Sequence, residues 1–266
     1  MGKVIDCLTE KEEEFIKSQK VFFVATSPLD KDHHVNVSPK APGTSVIVLD
    51  PYTVAYCDLS GSGAETTAHV LENSRMTLLF CNIEHGPPKI LRLYGKAKVL
   101  AKDCISDSKE FNKLVPKFPK SITSDYGFRA IFILNIDRMS TSCGYSLPVM
   151  KFEKYRQILN EYSTKKGEQG MVDYRIYKNS FSIDGLLSYG IYSHGNSKNI
   201  IPKPEDGYIF GEVDEDGGKK KSSEGNKAYI IPKQQTRNNG SSSTIMSFMV
   251  GVAVGVSVMF VMMNKK

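Results

Sequence analysis

Hydrophobic residues in roughly the first 140 positions fall into short runs, rich in Val, Ile, Phe and Tyr, that clusters of Gly, Pro, Asp and Ser separate. Runs of this length and composition predict β-strands, and their close spacing predicts antiparallel hairpins. We predict seven strands, over residues 21–26, 35–38, 45–49, 53–57, 76–81, 90–100 and 130–136. The pattern therefore indicates a chain built mainly from β-structure.

Helical segments interrupt this series of strands. A capping box at Thr9-Glu10-Lys11-Glu12 opens a short lead-in helix, and further helices are predicted over 64–73 and 108–115. Six or seven strands with interposed helices, and no strand–helix–strand alternation of the parallel kind, predict an α+β fold around a small antiparallel barrel with flanking helices.

A different pattern occupies the end of the sequence. Residues 245–263 read IMSFMVGVAVGVSVMFVMM, without a charge, and Asn264-Lys265-Lys266 follow. A helix of this length roughly matches the hydrocarbon thickness of a bilayer. We therefore predict a single transmembrane helix over 244–264. Gly251 and Gly255 form a G-x-x-x-G pair through which two such helices could pack, a question the sequence leaves open.

The N-terminal segment MGKVIDCLTEKEEEF has no apolar region of the kind that a secretory signal requires. We accordingly expect a single-pass tail anchor with the N-terminal domain in the cytosol. The mitochondrial outer membrane, the endoplasmic reticulum and the peroxisome all remain open. Residues 196–243 are rich in Lys, Gly, Ser, Asn and acidic residues, which predicts a flexible linker. The predicted organisation is a body over 1–195, a linker over 196–243 and an anchor over 244–264.

Composition narrows the classes of function. The net charge of +6 is spread along the chain without an arginine-rich cluster, so no nucleic-acid partner is expected. The cysteines are odd in number and scattered, which favours reduced thiols over a disulfide framework or a zinc site, and we predict no metal site. They are Cys7, Cys57, Cys81, Cys104 and Cys143.

The strongest local signal is the segment 58–67, DLSGSGAETT, between a predicted strand and a predicted helix. Its glycines allow a ligand to approach the backbone closely, and Ser62-Gly63-Ala64-Glu65 has the form of a capping box. Free N–H groups and hydroxyls at the start of a helix suit a phosphate. The alternative is a well-capped helix that binds nothing.

Two other predicted strands contain candidate ligand-binding residues. Pro39 lacks an N–H and belongs at a sheet edge or strand end, which would leave Ser38 and Lys40 at a rim where they could meet a planar, anionic ligand. Arg92 is opposite in phase to its leucine neighbours within the strand ILRLY, so its side chain faces either a charged ligand or solvent. A strand end with a solvated lysine is the simpler interpretation of Lys40.

In their order along the chain, the segments HVNVSPK, DLSGSGAETTAHVLENSRMTLLFCN and PPKILRLYGKAKVL resemble the pyridoxamine 5′-phosphate oxidase-like family of FMN-binding split barrels. More narrowly, they resemble an uncharacterised eukaryotic, mostly fungal-type branch, as do TSCGYSLPVM and KNSFSIDGLL further on. The resemblance covers roughly residues 1–190 and implies a split β-barrel, a homodimer and FMN in a groove at the subunit interface.

The resemblance also implies roles for individual residues. The FMN phosphate would lie near Ser62, Gly63 and Thr66, with Arg92 as its charge partner, and the isoalloxazine ring would lie along the strand that carries the three residues Ser38, Pro39 and Lys40. The chain departs from true pyridoxamine phosphate oxidases at 64–66, where Ala-Glu-Thr stands near the position of a Ser-Arg-Lys triad. It also lacks their C-terminal arginine motif, which argues against vitamin B6 oxidation.

The leading hypothesis is a membrane-tethered, flavin-dependent oxidoreductase of unknown substrate, for which no catalytic side chain can be assigned. The alternatives are a non-catalytic flavin- or haem-binding module and a cofactor-free, membrane-anchored interaction protein. Other reactive side chains receive simpler interpretations. We expect His33 and His34 to be solvated, and His69 and Cys143 to be packed in the interior.

Overall fold

The computed structural model of the chain describes residues 2–104 and 108–189, in which eight strands form one antiparallel sheet. The strands are β1 (Lys3–Ile5), β2 (Phe22–Thr26), β3 (Asn36–Lys40), β4 (Val46–Asp50), β5 (Thr53–Leu59), β6 (Arg75–Cys81), β7 (Ile90–Ala101) and β8 (Phe128–Ser142). The helices are α1 (Glu10–Ser18), α2 (Glu65–Asn73), α3 (Ser108–Leu114), α4 (Lys120–Thr123) and α5 (Ile158–Asn179).

The strands lie in the order β3-β2-β6-β7-β8-β5-β4, and β1 pairs with β8 beyond the end of β5. Adjacent strands in sequence form three hairpins, β2–β3, β4–β5 and β6–β7. The eight-stranded sheet with flanking helices fits a split-barrel α+β fold, as the sequence predicted. The predicted number of strands was one too low, because the three-residue β1 carries mostly exposed side chains and shows no periodicity.

Alternate residues of the central strands point into the barrel and form its core. The rings of Tyr56 and Phe132 stack with 5.0 Å between their centroids. Phe22 meets Tyr56 edge to face, with 5.8 Å between the centroids. The opposite face of β8 is buried as well, because Ile131 and Ile133 pack in a second cluster that includes residues of α3 and α4. Burial on both faces explains why β8 contains an almost uninterrupted apolar run.

The predicted capping boxes have different outcomes. Thr9 is the N-cap residue of α1, as predicted, but its side chain makes no capping bond to the helix backbone and bonds instead to the carboxylate of Glu12. The capping box predicted at 62–65 is wrong, because α2 begins at Glu65 and its N-cap residue is Ala64. The Ser62 hydroxyl lies too early in the chain to cap this helix. Further on, α5 is interrupted at Gly167, whose φ of 68° departs from helical geometry.

None of the five cysteines forms a disulfide. Cys143 is exposed, however, so its predicted packing in the interior is wrong. The reason is that β8 ends one residue earlier, and Cys143 begins the loop that follows. Within 2–104 and 108–189 no helix is long and apolar enough to cross a membrane. The predicted linker at 196–243 and the apolar run at 245–263 lie outside the described residues.

Candidate functional site

The loop over residues 60–64 joins the end of β5 to the start of α2, and we call it the glycine loop. Ser62 and Gly63 are exposed at its outer surface, whereas Thr66 in the first turn of α2 is 9% exposed. The exposed N–H groups of Ser62 and Gly63 donate to no protein acceptor within the described part of the chain. The loop therefore presents backbone donors to its surroundings, as its sequence predicted.

Two buried side chains hold the inner side of the glycine loop. Arg129 in β8 donates from Nη2 to the carbonyl of Gly63 at 3.0 Å and from Nη1 to that of Gly61 at 3.4 Å. Asn179, at the end of α5, donates from Nδ2 to the carbonyls of Gly61 at 2.9 Å and Ser62 at 3.3 Å. Arg129 and Asn179 are themselves linked at 2.9 Å.

Asp58 lies beneath the loop and is 1% exposed. Its carboxylate accepts hydrogen bonds from Lys40 at 2.5 Å, Arg129 at 2.8 Å and the Tyr189 hydroxyl at 3.2 Å. Burial opposes ionisation of Asp58, but the positive charges of Arg129 and Lys40 outweigh it and lower the pKa of this carboxyl to about 2. The ring of Tyr189 lies against the Arg129 guanidinium, whose carbon is 4.5 Å from the ring centroid.

The edge strand β3 meets the glycine loop and the start of α2. Asn36 donates from Nδ2 to the hydroxyl of Thr66 at 3.1 Å and to that of Ser38 at 3.2 Å. Together with the bond from Lys40 to Asp58, this contact brings β3 and residues 58–66 to one place within a single chain. The structure thus brings Ser38, Lys40 and Thr66 together within one chain, whereas the predicted site lay between two subunits, and Lys40 is already paired with a buried carboxylate.

Arg92 and Pro39 lie on the face of the sheet opposite to Ser38. The ladder places Ser38 in one row with Val24, Leu78 and Leu93, all three fully buried, and places Pro39 in the neighbouring row with Phe23, Leu79 and Arg92. Residues in one row share a face, and successive rows alternate between faces. Three strand spacings separate Arg92 from β3, a distance of about 14 Å. Within one chain, therefore, Arg92 does not reach the glycine loop. It donates instead to the Ser142 hydroxyl at 3.1 Å.

Glu65 occupies the N-terminal end of α2. Its Oε2 accepts the N–H of Ala64 at 3.0 Å, and its Oε1 accepts the N–H of Ile183 at 3.4 Å. An anion is favoured at this position because the first N–H groups of a helix lack partners within the helix. The carboxylate of the chain itself thus takes the place that a ligand phosphate would use in the first turn of α2.

Four residues of the site were not predicted from the sequence: Asn36, Arg129, Asn179 and Tyr189. A signal existed for Arg129, because a single charge in the apolar strand FRAIFIL implies a buried partner of opposite charge. Asp58, at the end of the mainly apolar run TVAYCDL, is that partner. No local pattern pointed to Asn179, whose bonds to the loop span more than a hundred residues.

The histidines differ from one another in environment. His69 is fully buried, as predicted, and its Nδ1 lies 3.0 Å from the Thr26 hydroxyl. Burial lowers the pKa of His69. His34 is exposed and bonds to Asp184 at 2.7 Å. Among residues 2–104 and 108–189, no group of three His, Cys, Asp or Glu side chains has the arrangement of a metal site.

Comparison with known proteins identifies the family to which this chain belongs. Residues 8–142 match the family model for pyridoxamine 5′-phosphate oxidase. The pyridoxamine 5′-phosphate oxidase family protein ustO of Aspergillus flavus is 32% identical over 202 residues, which cover 68% of this chain and 75% of that protein.

Solved structures give more distant matches. HupZ of Group A Streptococcus is 17% identical over 50% of this chain and 91% of its own, with a TM-score of 0.36. A Clostridium acetobutylicum protein related to general stress protein 26, of the pyridoxinephosphate oxidase family, is 14% identical over 51% and 91% of the two chains, with a TM-score of 0.32. On the family model and the Aspergillus relative, this chain belongs to the pyridoxamine 5′-phosphate oxidase family.

Proposed function

We propose that this protein is an FMN-binding oxidoreductase whose cofactor lies where the edge strand β3 meets the glycine loop. The observation that carries the proposal is the contact of Asn36 with Thr66, reinforced by the pair of Lys40 and Asp58, because it joins the two predicted binding segments. Family membership supports a flavin as the ligand.

The residues at this place suit the phosphate of FMN on the outer side of the loop. The N–H groups of Ser62 and Gly63 and the Ser62 hydroxyl are exposed donors, and the half-buried Lys40 supplies a cation nearby. Ser38, on the face of the edge strand that meets the glycine loop, would lie along the isoalloxazine ring, whereas Pro39 faces the opposite side of the sheet. FMN, when bound, supplies the hydride and electron transfer. The protein binds the cofactor, orients it and limits its contact with water.

The position of Arg92 supports a second proposal, a homodimer. Arg92 lies on the face of the sheet that points away from its own glycine loop, so as a charge partner of the FMN phosphate it would come from a second copy of the chain. Mixing subunits tests this arrangement. Homodimers of Arg92→Gln and homodimers of Lys40→Met should each bind FMN weakly. A dimer that combines one subunit of each variant should then regain one intact site. No recovery in the mixed dimer would exclude a site shared between subunits.

The colour of the purified protein tests the flavin itself. The full chain, extracted in a mild detergent, is expected to retain a yellow cofactor that elutes as FMN after heat denaturation. Reduction by NADH or NADPH followed by reoxidation in air would assign oxidoreductase activity. A flavin that stays bound but is never reduced would instead indicate a non-catalytic flavin-binding module.

A cofactor-free interaction protein is the second candidate function, and two observations favour it. The Glu65 carboxylate already occupies the start of α2, and Lys40 and Arg129, the two cations described beside the loop, are both already paired with Asp58. Colourless protein that gains no absorbance when incubated with FMN would establish this alternative and overturn the flavin proposal.

We also propose that the apolar run at 245–263 anchors the protein in a membrane, with the barrel in the cytosol. The support is the length of the run and its lack of charge. A fluorescent fusion of residues 235–266 would identify the membrane. The same fusion with two central valines, Val254 and Val256, changed to arginine is the control. Equal membrane association of both fusions would contradict insertion of this run.

A further inference from the structure

Asn179 lies beyond the part of the chain that the family model matches, yet it is fully buried beneath the glycine loop. Both of its polar atoms are used there. The amide nitrogen donates to the carbonyls of Gly61 and Ser62, and the amide oxygen accepts from Arg129. A segment outside the matched family region thus contributes directly to the candidate site.

Four consecutive carbonyls of the loop are held on the inner side. Asn179 and Arg129 hold those of Gly61, Ser62 and Gly63, and the buried Ser188 hydroxyl donates to that of Ala64 at 2.8 Å. In a planar trans peptide, the carbonyl of one residue and the N–H of the next point in opposite directions. Inward carbonyls at 61–63 therefore turn the N–H groups of 62–64 outward.

An anionic oxygen already sits on one of these outward groups. The N–H of Ala64 donates to the carboxylate of Glu65 at 3.0 Å. The N–H groups of Ser62 and Gly63 come just before it in the chain, with no protein acceptor among the described residues. Unpartnered backbone N–H groups beside the start of a helix can donate to an anion.

We propose that Asn179 is a positioning residue for the phosphate of the cofactor, an inference that rests on the proposed function. Asn179 does not touch the ligand. It holds two carbonyls of the loop inward, so that the N–H groups of Ser62 and Gly63 stay aimed at the phosphate. Arg129 assists through the Gly63 carbonyl and is itself fixed by Asp58 and Tyr189.

The change Asn179→Asp tests the role of the amide. Aspartate keeps an oxygen that can accept from Arg129, but it replaces the donor to the carbonyls of Gly61 and Ser62 with a second acceptor. The Ser62 carbonyl then loses its partner, the Gly61 carbonyl keeps only the long bond from Arg129 at 3.4 Å, and the loop can rotate. We expect the affinity for FMN to fall about tenfold or more. The affinity for riboflavin, which has no phosphate, should stay within about twofold in the full-length protein.

Asn160→Asp is the matched control, because Asn160 lies in the part of α5 before the break at Gly167 and also donates through its amide, to Asp125 at 2.6 Å. It should leave the ratio of FMN to riboflavin affinity unchanged, even if it lowers the melting temperature. The ³¹P resonance of bound FMN adds a direct readout. Asn179→Asp should shift it, and Asn160→Asp should not.

Ser188→Ala is a milder second variant if Asn179→Asp fails to fold, since it removes only the bond to the Ala64 carbonyl. It should lower FMN affinity about threefold, again without an effect on riboflavin. Equal losses for FMN and riboflavin, or no loss at all, would overturn the role of this segment while the flavin assignment stands. Wild-type protein that binds neither compound would instead overturn the proposed function, and this inference with it.

Discussion

Lys40 and Asp58 form an ion pair, 2.5 Å between Nζ and Oδ1, that joins the edge strand β3 to the end of β5. The carboxylate is 1% exposed, and Arg129 contacts its other oxygen at 2.8 Å. A buried carboxylate between two cations is stabilised in its charged form. This group of charges supports the glycine loop from below and makes the loop sensitive to the charge of Asp58.

Acid should therefore weaken the fold through Asp58. Its pKa is about 2 in the folded protein, compared with 3.8 for an ordinary aspartate. A lowered pKa contributes stability that is complete above about pH 4 and is lost as the pH falls towards 2. We expect a loss of about 2 kcal/mol in the free energy of unfolding over this window, measured by urea denaturation at several pH values.

Asp58→Asn identifies the source of this loss. The variant should be less stable at pH 7 by about 3–5 kcal/mol, because Arg129 is left buried without its partner. Its stability should also decline less steeply between pH 4 and pH 2. Glu110→Gln, which breaks the exposed pair of Lys98 and Glu110, should change stability by less than about 1 kcal/mol. Parallel pH profiles for wild type and Asp58→Asn would contradict the assignment.

Glu65→Gln should strengthen FMN binding. The substitution removes a negative charge from the start of α2, next to the N–H groups proposed to hold the phosphate. We expect the dissociation constant of FMN to decrease about threefold to tenfold at low ionic strength, and less at high salt because salt screens exposed charges. Riboflavin is the control ligand, and its affinity should not change. Weaker FMN binding by Glu65→Gln would mean that the carboxylate helps to build the site.

Gly95 should tolerate no side chain. It lies at the bulge where β7 pairs irregularly with β8, and a Cβ built on it would come within 2.0 Å of the Asn135 carbonyl oxygen. Gly95→Ala should lower the free energy of unfolding by about 3 kcal/mol, because backbone atoms must move. The control is Gly61→Ala, since a Cβ there meets no atom within 4 Å. Equal melting temperatures for the two variants would show that the bulge adapts.

Cys143 should react first with a thiol reagent. It is exposed in the loop after β8, whereas burial raises the pKa of the Cys57 thiol. The thiolate is the reactive form, so Cys57 should react only when the protein unfolds. Labelling of the native protein followed by peptide mass spectrometry measures the order. Cys143→Ser should remove the fast phase, and a fast phase that survives would identify another accessible cysteine.

Several features could be predicted from the sequence because short-range interactions determine them. Strand periodicity located seven of the eight strands, since alternate side chains of a half-buried strand must be apolar. The exposed donors of the glycine loop followed from Gly61 and Gly63 lying between a strand and a helix. The capping box at 62–65 failed because the contacts of the loop carbonyls with Arg129 and Asn179, rather than a local cap, determine its path.

The amino-acid sequence by itself determined seven of the eight strands, the edge position of Pro39 and the family, because each depends on residues that are neighbours in the chain. Only the tertiary structure decided which distant groups meet. Asn179 reaches Gly61 across 118 positions, and Arg92 faces away from the loop that it was expected to serve. Both depend on how strands and helices pair. A shift of one residue in register moves a side chain to the opposite face of the sheet, and periodicity alone does not specify that register.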